Sequence, residues 1–191
     1  MKQLVMIIFM CLMGVQSAMG SNVERALADS RATVGEFMKT LKQELLAAMQ
    51  AGGPVNAVSV CNLTAPGIAN TYSASEGREV SRTSLRVRNP GNAPVAWQRA
   101  VLESFEQRKQ AGEDVTALEF HEVVTTEGVR ELRYMKAIPT AKLCLACHGE
   151  TVDSTVRTRL ETLYPNDQAM GYRVGDIRGA FSVTQTLDKD D

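Results

Sequence analysis

The sequence predicts an α+β domain in which helices come first and an antiparallel sheet follows. Apolar residues recur at helical spacing through residues 22–51, whereas residues 116–125 and 129–138 alternate around Glu127-Gly128 in the pattern of a hairpin. Hydrophobic residues make up 44% and charged residues 23% of the chain, which is the composition of a protein that packs a core. The net charge of -1 shows no basic excess, so nothing predicts binding to nucleic acid.

The helical part is predicted as one long helix followed by a shorter one. The apolar stripe of the long helix consists of Val34, Phe37, Met38, Leu41, Leu45, Ala48 and Met49. Gly52-Gly53 ends this helix, and Pro54 suits the first turn of the second. The second helix presents one apolar face, formed by Ala57, Val58, Cys61 and Ala65, and Pro66 is expected to interrupt it.

The remaining elements follow in order. Residues 79–88 predict a strand that ends at Asn89-Pro90-Gly91. A third helix is expected to start with Asn92 as its cap and Pro94 in its first turn, and to bury Trp97, Val101 and Phe105. The hairpin comes next, then a turn-rich segment at 164–175, and a last strand at 180–184.

Residues 1–20 predict a signal peptide, which leaves residues 21–191 as the mature domain. Lys2 provides the positive start, residues 4–15 are almost entirely apolar, and Ala18-Met19-Gly20 places small residues where a signal peptidase reads. The apolar run is shorter than the ~20 residues of a membrane span, although an uncleaved anchor is the alternative. We therefore expect a periplasmic protein without a stable membrane span. Cleavage would remove Cys11, and the odd number of cysteines that remains cannot all pair within the chain.

Cys144-Leu145-Ala146-Cys147-His148 matches the C-x-x-C-H pattern of c-type haem attachment. In this pattern two thiols form thioethers with the vinyl groups of the porphyrin, and the next residue lies under the iron, where an imidazole can ligate it. The sequence thus predicts one covalent haem c held by Cys144, Cys147 and His148.

Three alternatives compete with haem for these residues. A thioredoxin-like redox pair belongs at the start of a helix in a βα pattern, whereas a hairpin precedes this motif. A simple disulfide leaves the adjacent His148 unexplained. A Cys₃His zinc site with Cys61 requires Cys147 and His148, which are neighbours in the chain, to reach one tetrahedral ion.

The second axial ligand of the iron stays open at this point. His121 is the only other histidine, and its strand parity with Glu119 indicates a surface position. The methionines at 38, 49, 135 and 170 have spacing typical of core packing. Cys61 lies on an apolar helix face, where a free cysteine is more often inert than functional.

Several motifs occur together in one order along nearly the whole mature chain. They are Cys61 with Ala65-Pro66, Arg82-Thr83-Ser84-Leu85, Arg88-Asn89-Pro90-Gly91-Asn92-Ala93-Pro94, the segment 144–149, Tyr164-Pro165-Asn166-Asp167-Gln168-Ala169-Met170-Gly171-Tyr172, and Gly175-Asp176-Ile177-Arg178-Gly179-Ala180. Together they resemble a family of small exported c-type haem domains with a PAS-like fold, which also occurs as the sensory part of signalling proteins. The resemblance implies a PAS-like antiparallel sheet flanked by helices. It also implies an iron held by His148 on one side and by the thiolate of Cys61 on the other, and a thiolate favours Fe(III) and a low reduction potential.

The haem propionates require cations. Arg82, Ser84, Arg86 and Arg88 would share one face of their strand, so one or two of these arginines are candidates, with Arg82 first and a solvated outer face as the alternative. Tyr134 and Tyr172 could line the pocket, although core packing is the more ordinary role for each.

Two functions fit this ligand set. The first is a soluble, low-potential cytochrome for electron transfer or redox response. The second is a periplasmic sensor of redox state or of a small ligand such as NO or CO, which would signal through a partner protein. No distal histidine–arginine arrangement and no nucleophile–base pair is evident, so an enzyme is not expected.

Overall fold

The computed structural model describes residues 2–74 and 77–187, with side chains from Asn22 onward. Met1 and the side chains of residues 2–21 lie outside this description, so the signal peptide at 1–20 and the removal of Cys11 by its cleavage stay predictions. Within the described part of the chain, no helix is long and apolar enough to cross a membrane. The α+β prediction is confirmed, because a long N-terminal helix and further helices flank a four-stranded antiparallel sheet.

The helices differ in detail from the prediction. Helix α1 (Lys2–Ser59) breaks at Gly52 and Gly53, whose backbone angles are not helical. It continues into a π-helical turn (Val60–Thr64) and then α2 (Ala65–Tyr72). The expected interruption at Pro66 is wrong, because this proline lies in the first turn of α2, where a missing N–H is tolerated.

Four strands form the sheet, in the order β1-β4-β3-β2. They are β1 (Arg78–Thr83), β2 (Glu119–Thr126), β3 (Val129–Pro139) and β4 (Ile177–Thr186). All neighbours pair antiparallel. The predicted hairpin is confirmed: Glu127 (φ 53°) and Gly128 (φ 79°) make a two-residue turn with positive φ at both positions, which suits the twist of the paired strands.

The sheet is buried on both faces. Helix α1 packs on one face through Leu27, Val34 and Phe37, against Leu132, Tyr134, Phe181 and Val183. Helix α3 (Ala96–Gln110) covers the other face through Val101, Leu102 and Phe105, as its spacing predicted. A third cluster joins Val58 to Val152, Val156, Leu160 and Tyr164. It packs helix α5 (Ser154–Leu163), which the sequence analysis did not predict, against the end of α1.

The first strand is shorter than predicted. It ends at Thr83 because the Ser84 hydroxyl turns the chain: its Oγ donates to the Arg178 carbonyl (2.8 Å) and accepts from the Arg86 amide (3.2 Å). Asn92 is not the cap of α3. It ends a short 3₁₀ turn (Pro90–Asn92), and α3 begins four residues later.

Candidate functional site

The C-x-x-C-H motif folds as a short helix between the end of β3 and α5. Cys144 ends a 3₁₀ turn (Lys142–Cys144), and helix α4 (Leu145–His148) holds the rest of the motif. Gly149 closes the helix by donating to the Leu145 carbonyl at 3.0 Å. A Cβ at Gly149 would lie 2.6 Å from that same oxygen, so the tight turn requires glycine.

The segment from Tyr164 to Tyr172 fixes this helix from outside. The Tyr172 amide donates to the His148 carbonyl and the Gly171 amide donates to the Gly149 carbonyl, both at 2.9 Å. The turn-rich segment predicted at 164–175 thus serves as a frame for the motif.

The same segment orients the imidazole of His148. Nδ1 lies 2.7 Å from the Ala169 carbonyl oxygen, which can only accept, so Nδ1 carries the proton and Nε2 keeps its lone pair. Burial, reinforced by the positive charges of Arg178 and Arg88, holds the pKa of His148 well below its ordinary value. The ring is therefore neutral at neutral pH, which is the form that binds a metal.

A cavity of about 330 Å³ opens between α1, the end of β3 and the motif helix. Cys61, on the π-helical turn, and His148 both line it, together with Cys144. Its wall is largely apolar and is formed by Met38, Leu41, Leu45, Ile138, Leu143 and Phe181. The volume lies in the range of small-molecule and cofactor pockets.

Two guanidinium groups reach this cavity without a carboxylate partner among the described residues. Arg82 extends from β1 over the ring of Phe37, with 5.9 Å between its Cζ and the ring centroid. Arg178, from β4, donates to Ser84 Oγ at 3.0 Å and also lines the cavity. Burial lowers the pKa of both arginines below the ordinary value, so an anion in the cavity would be stabilised strongly by them.

Arg86 and Arg88 do not share the face of Arg82, because β1 ends before them. Arg86 is exposed and stacks over the Tyr172 ring at 4.4 Å. Arg88 is buried, and its guanidinium pairs with Asp167, so it is not available to a propionate.

The other candidate ligands lie in different places. His121 is exposed on β2 and pairs with Tyr134 across the hairpin, and it does not line the cavity. Met38 stands on the cavity rim and Met49 lines a smaller pocket beside it. Buried Met135 packs against α3, and Met170 packs beside α5. Tyr134 is a core residue that donates to Glu119 Oε2 at 3.0 Å.

The donor set fits the predicted haem c. Cys61, Cys144 and Cys147 are free thiols, one imidazole nitrogen is unprotonated, and two cations match the charge of two propionates. Among the described residues, no three His, Cys, Asp or Glu side chains are grouped to hold a metal ion, so the zinc alternative has no geometric support.

The family model described as Tll0287-like matches residues 3–186. This chain belongs to the Tll0287-like family. The match confirms the family resemblance predicted from the motifs. No curated protein matches this member of the family.

A solved structure supports the same assignment at the level of the fold. The crystal structure of the cyanobacterial heme-protein Tll0287 superposes with a TM-score of 0.61 at 23% identity, over 85% of this chain and 98% of that one.

Two residues that line the cavity were not among the candidates predicted from the sequence. Arg178 lies within a motif that carried the resemblance, but its strand was predicted to start later, at residue 180. Tyr164, which lines the cavity wall beside Cys61, was assigned only to a turn. Strand alternation could not have placed Arg178 at the cavity, because Phe181, which has the opposite parity, also lines it, and Ile177 packs in the cluster under α3.

Proposed function

We propose that this protein is an exported mono-haem c-type cytochrome with a His148/Cys61-ligated iron of low potential. The observation that carries the proposal is that Cys144, His148 and Cys61, which come from two separate parts of the chain, line one largely apolar cavity. The structural neighbour Tll0287 is a cyanobacterial heme-protein, which supports the same cofactor.

Six residues have defined tasks in this proposal: five line the cavity, and Cys147 lines the smaller pocket beside it. Cys144 and Cys147 would hold the porphyrin through thioethers, each formed by adding S–H across one vinyl group, which needs no oxidant. The Nε2 of His148 and the thiolate of Cys61 would ligate the iron, and Arg82 and Arg178 would bind the two carboxylates. When bound, haem c supplies a one-electron Fe(III)/Fe(II) couple.

The apolar wall and the thiolate both favour a low potential. As a thiolate ligand, Cys61 would give negative charge to the iron and would therefore stabilise Fe(III). We assign the protein to electron transfer with a periplasmic redox partner and not to catalysis.

A second candidate function is a sensor of redox state or of NO or CO. The observation in its favour is the π-helical turn that carries Cys61, since such turns inside α-helices are frequent at functional sites. This turn follows the break at Gly52-Gly53, so departure of the thiolate can be coupled to movement of α2.

The first experiment compares optical spectra of the haem-loaded wild type and Cys61→Ala in the ferric and ferrous states. We expect thiolate charge-transfer bands in the ferric wild type and their loss in the variant. Leu63→Ala is the matched control, because Leu63 lies on the same turn and is 73% exposed. Identical spectra for wild type and Cys61→Ala would refute thiolate ligation.

Addition of NO separates the two functions. A reversible spectral change at low NO, accompanied by loss of the thiolate bands, supports the sensor. An unchanged spectrum supports the electron carrier.

A further inference from the structure

Arg88 and Asp167 form a buried ion pair beside the motif helix. Their side chains are only 6% and 8% exposed, and Arg88 Nε and Nη2 each lie 2.9 Å from Asp167 Oδ2. Arg88 follows the end of β1, whereas Asp167 belongs to the segment that frames α4. The pair therefore ties two distant parts of the chain together at the back of the cavity.

Both members of the pair also hold the backbone of Ala169. Asp167 Oδ1 accepts from the Ala169 amide at 2.8 Å, and Arg88 Nη2 donates to the Ala169 carbonyl at 3.2 Å. That carbonyl is the same oxygen that accepts from His148 Nδ1. Arg88 Nη2 also donates to the Cys147 carbonyl at 2.6 Å, so one guanidinium contacts both the motif helix and the acceptor of its histidine.

We propose that the Arg88–Asp167 pair is the device that positions His148 and sets how much electron density its imidazole gives to the iron. The inference rests on the proposed function, because it assigns a role around the proposed haem ligand. Partners of a ligating histidine fix its tautomer and orientation and tune its basicity. Here Arg88 shares the Ala169 oxygen with His148 and draws electron density from it, which weakens the hydrogen bond at Nδ1.

Stability alone gives a poor account of this arrangement. A buried ion pair contributes little net stability compared with apolar side chains of the same volume. Each member of this pair instead directs a second hydrogen bond at Ala169, and Arg88 Nη1 lies 3.5 Å from His148 Nε2. Because the two side chains carry opposite charges beside the proposed ligand, they would have opposite electrostatic effects on a bound iron.

The signs follow from the charges. Asp167→Asn keeps the shape but leaves the Arg88 cation uncompensated, which disfavours Fe(III), so the midpoint potential should rise. Arg88→Gln leaves the Asp167 anion uncompensated, which favours Fe(III), so the potential should fall. A merely structural role would move both variants in the same direction, since either would loosen the same segment.

The control is an exposed ion pair between the residue that follows the segment Tyr164 to Tyr172 and the residue that follows Gly149. Arg173 Nη2 contacts Glu150 Oε1 at 2.7 Å, but these side chains are 76% and 57% exposed. Arg173→Gln should leave the potential unchanged, because solvent screens an exposed pair. Arg88→Lys is the conservative variant, because it keeps the positive charge but loses the two-nitrogen contact of the guanidinium with Asp167. Its midpoint potential should therefore lie nearer to that of the wild type than the potential of Arg88→Gln does.

The test uses haem-loaded protein, with covalent attachment established first by mass and by the pyridine haemochrome spectrum. Spectroelectrochemical titration gives the potential, and the ferric EPR signal reports the orientation of the imidazole. We expect potential shifts of opposite sign and, in Arg88→Gln, several low-spin species in place of one. Unshifted potentials, or shifts of the same sign, in protein that carries haem would overturn the positioning role alone. Wild type without covalent haem would overturn the proposed function and this inference with it.

Discussion

Helix α1 is an integral layer of the domain, and Phe37 is the residue that tests this. Its side chain is fully buried between α1 and the sheet, with its ring centroid 5.0 Å from that of Phe181 and 5.8 Å from that of Tyr72. Phe37→Ala would remove these contacts and leave a cavity at the centre of the largest core cluster.

The expected cost follows from this environment. Truncation of a buried phenylalanine to alanine destabilises a protein by about 3–5 kcal/mol, and two aromatic neighbours place Phe37 toward the upper end. For a domain of this size the loss corresponds to a fall in Tm of roughly 6–20 °C. Because Phe181 also lines the cavity, the haem-loaded yield should fall as well.

Urea unfolding followed by circular dichroism measures the change in the free energy of unfolding. Gln43→Ala is the control, since Gln43 is exposed on the same helix and such a substitution shifts stability by no more than about 0.5 kcal/mol. A loss below about 1 kcal/mol for Phe37→Ala would show that α1 is not packed on the sheet, and would leave the helix free to serve as a docking arm for a partner.

Two further predictions concern the hairpin and the response to acid. Glu127 is a non-glycine residue at positive φ, so Glu127→Asn should stabilise the protein slightly, whereas Gly128→Ala should destabilise it by about 1 kcal/mol. Thermal unfolding measures both changes in stability. Effects of equal size and the same sign would contradict the turn geometry. The hydrogen bond from Arg31, aided by that from Tyr134, lowers the pKa of Glu119 in the folded protein. The contribution of Glu119 to stability is therefore complete above the unfolded pKa of about 4.3 and is lost as pH falls through the folded pKa. Arg31→Gln should therefore lose less stability than wild type between neutral pH and about pH 3.5, and an equal loss in urea titrations would refute this.

Local signals predicted most of the fold. The period of α1, the break at Gly52-Gly53 and the turn at Glu127-Gly128 depend on neighbouring residues, so they were readable from the sequence. Helix α5 was missed because its apolar residues are few, and only contact with the end of α1 gives them a buried face.

The site was predictable in its chemistry but not in its electrostatics. The spacing of Cys144, Cys147 and His148 predicted a haem-attachment motif, and the family resemblance implied Cys61 as the second ligand. Arg88 was grouped with Arg82 by strand parity, which fails once β1 ends at Thr83. Its true partner, Asp167, is 79 residues away, and no local pattern joins the two.

This separation of the arginines explains how the proposed site can balance its charges. Asp167 neutralises Arg88 within the protein, so Arg82 and Arg178 are the two guanidinium groups that face the cavity without a carboxylate among the described residues, while the exposed Lys42 stands at its edge. Two propionates would match these two cations, and the single charge of Cys61 as thiolate would match the single net charge of a ferric porphyrin. The proposed site would then be neutral as Fe(III) and would carry one uncompensated negative charge as Fe(II). A mostly apolar cavity would penalise that charge, so the arrangement proposed to hold the cofactor would also favour its oxidised state.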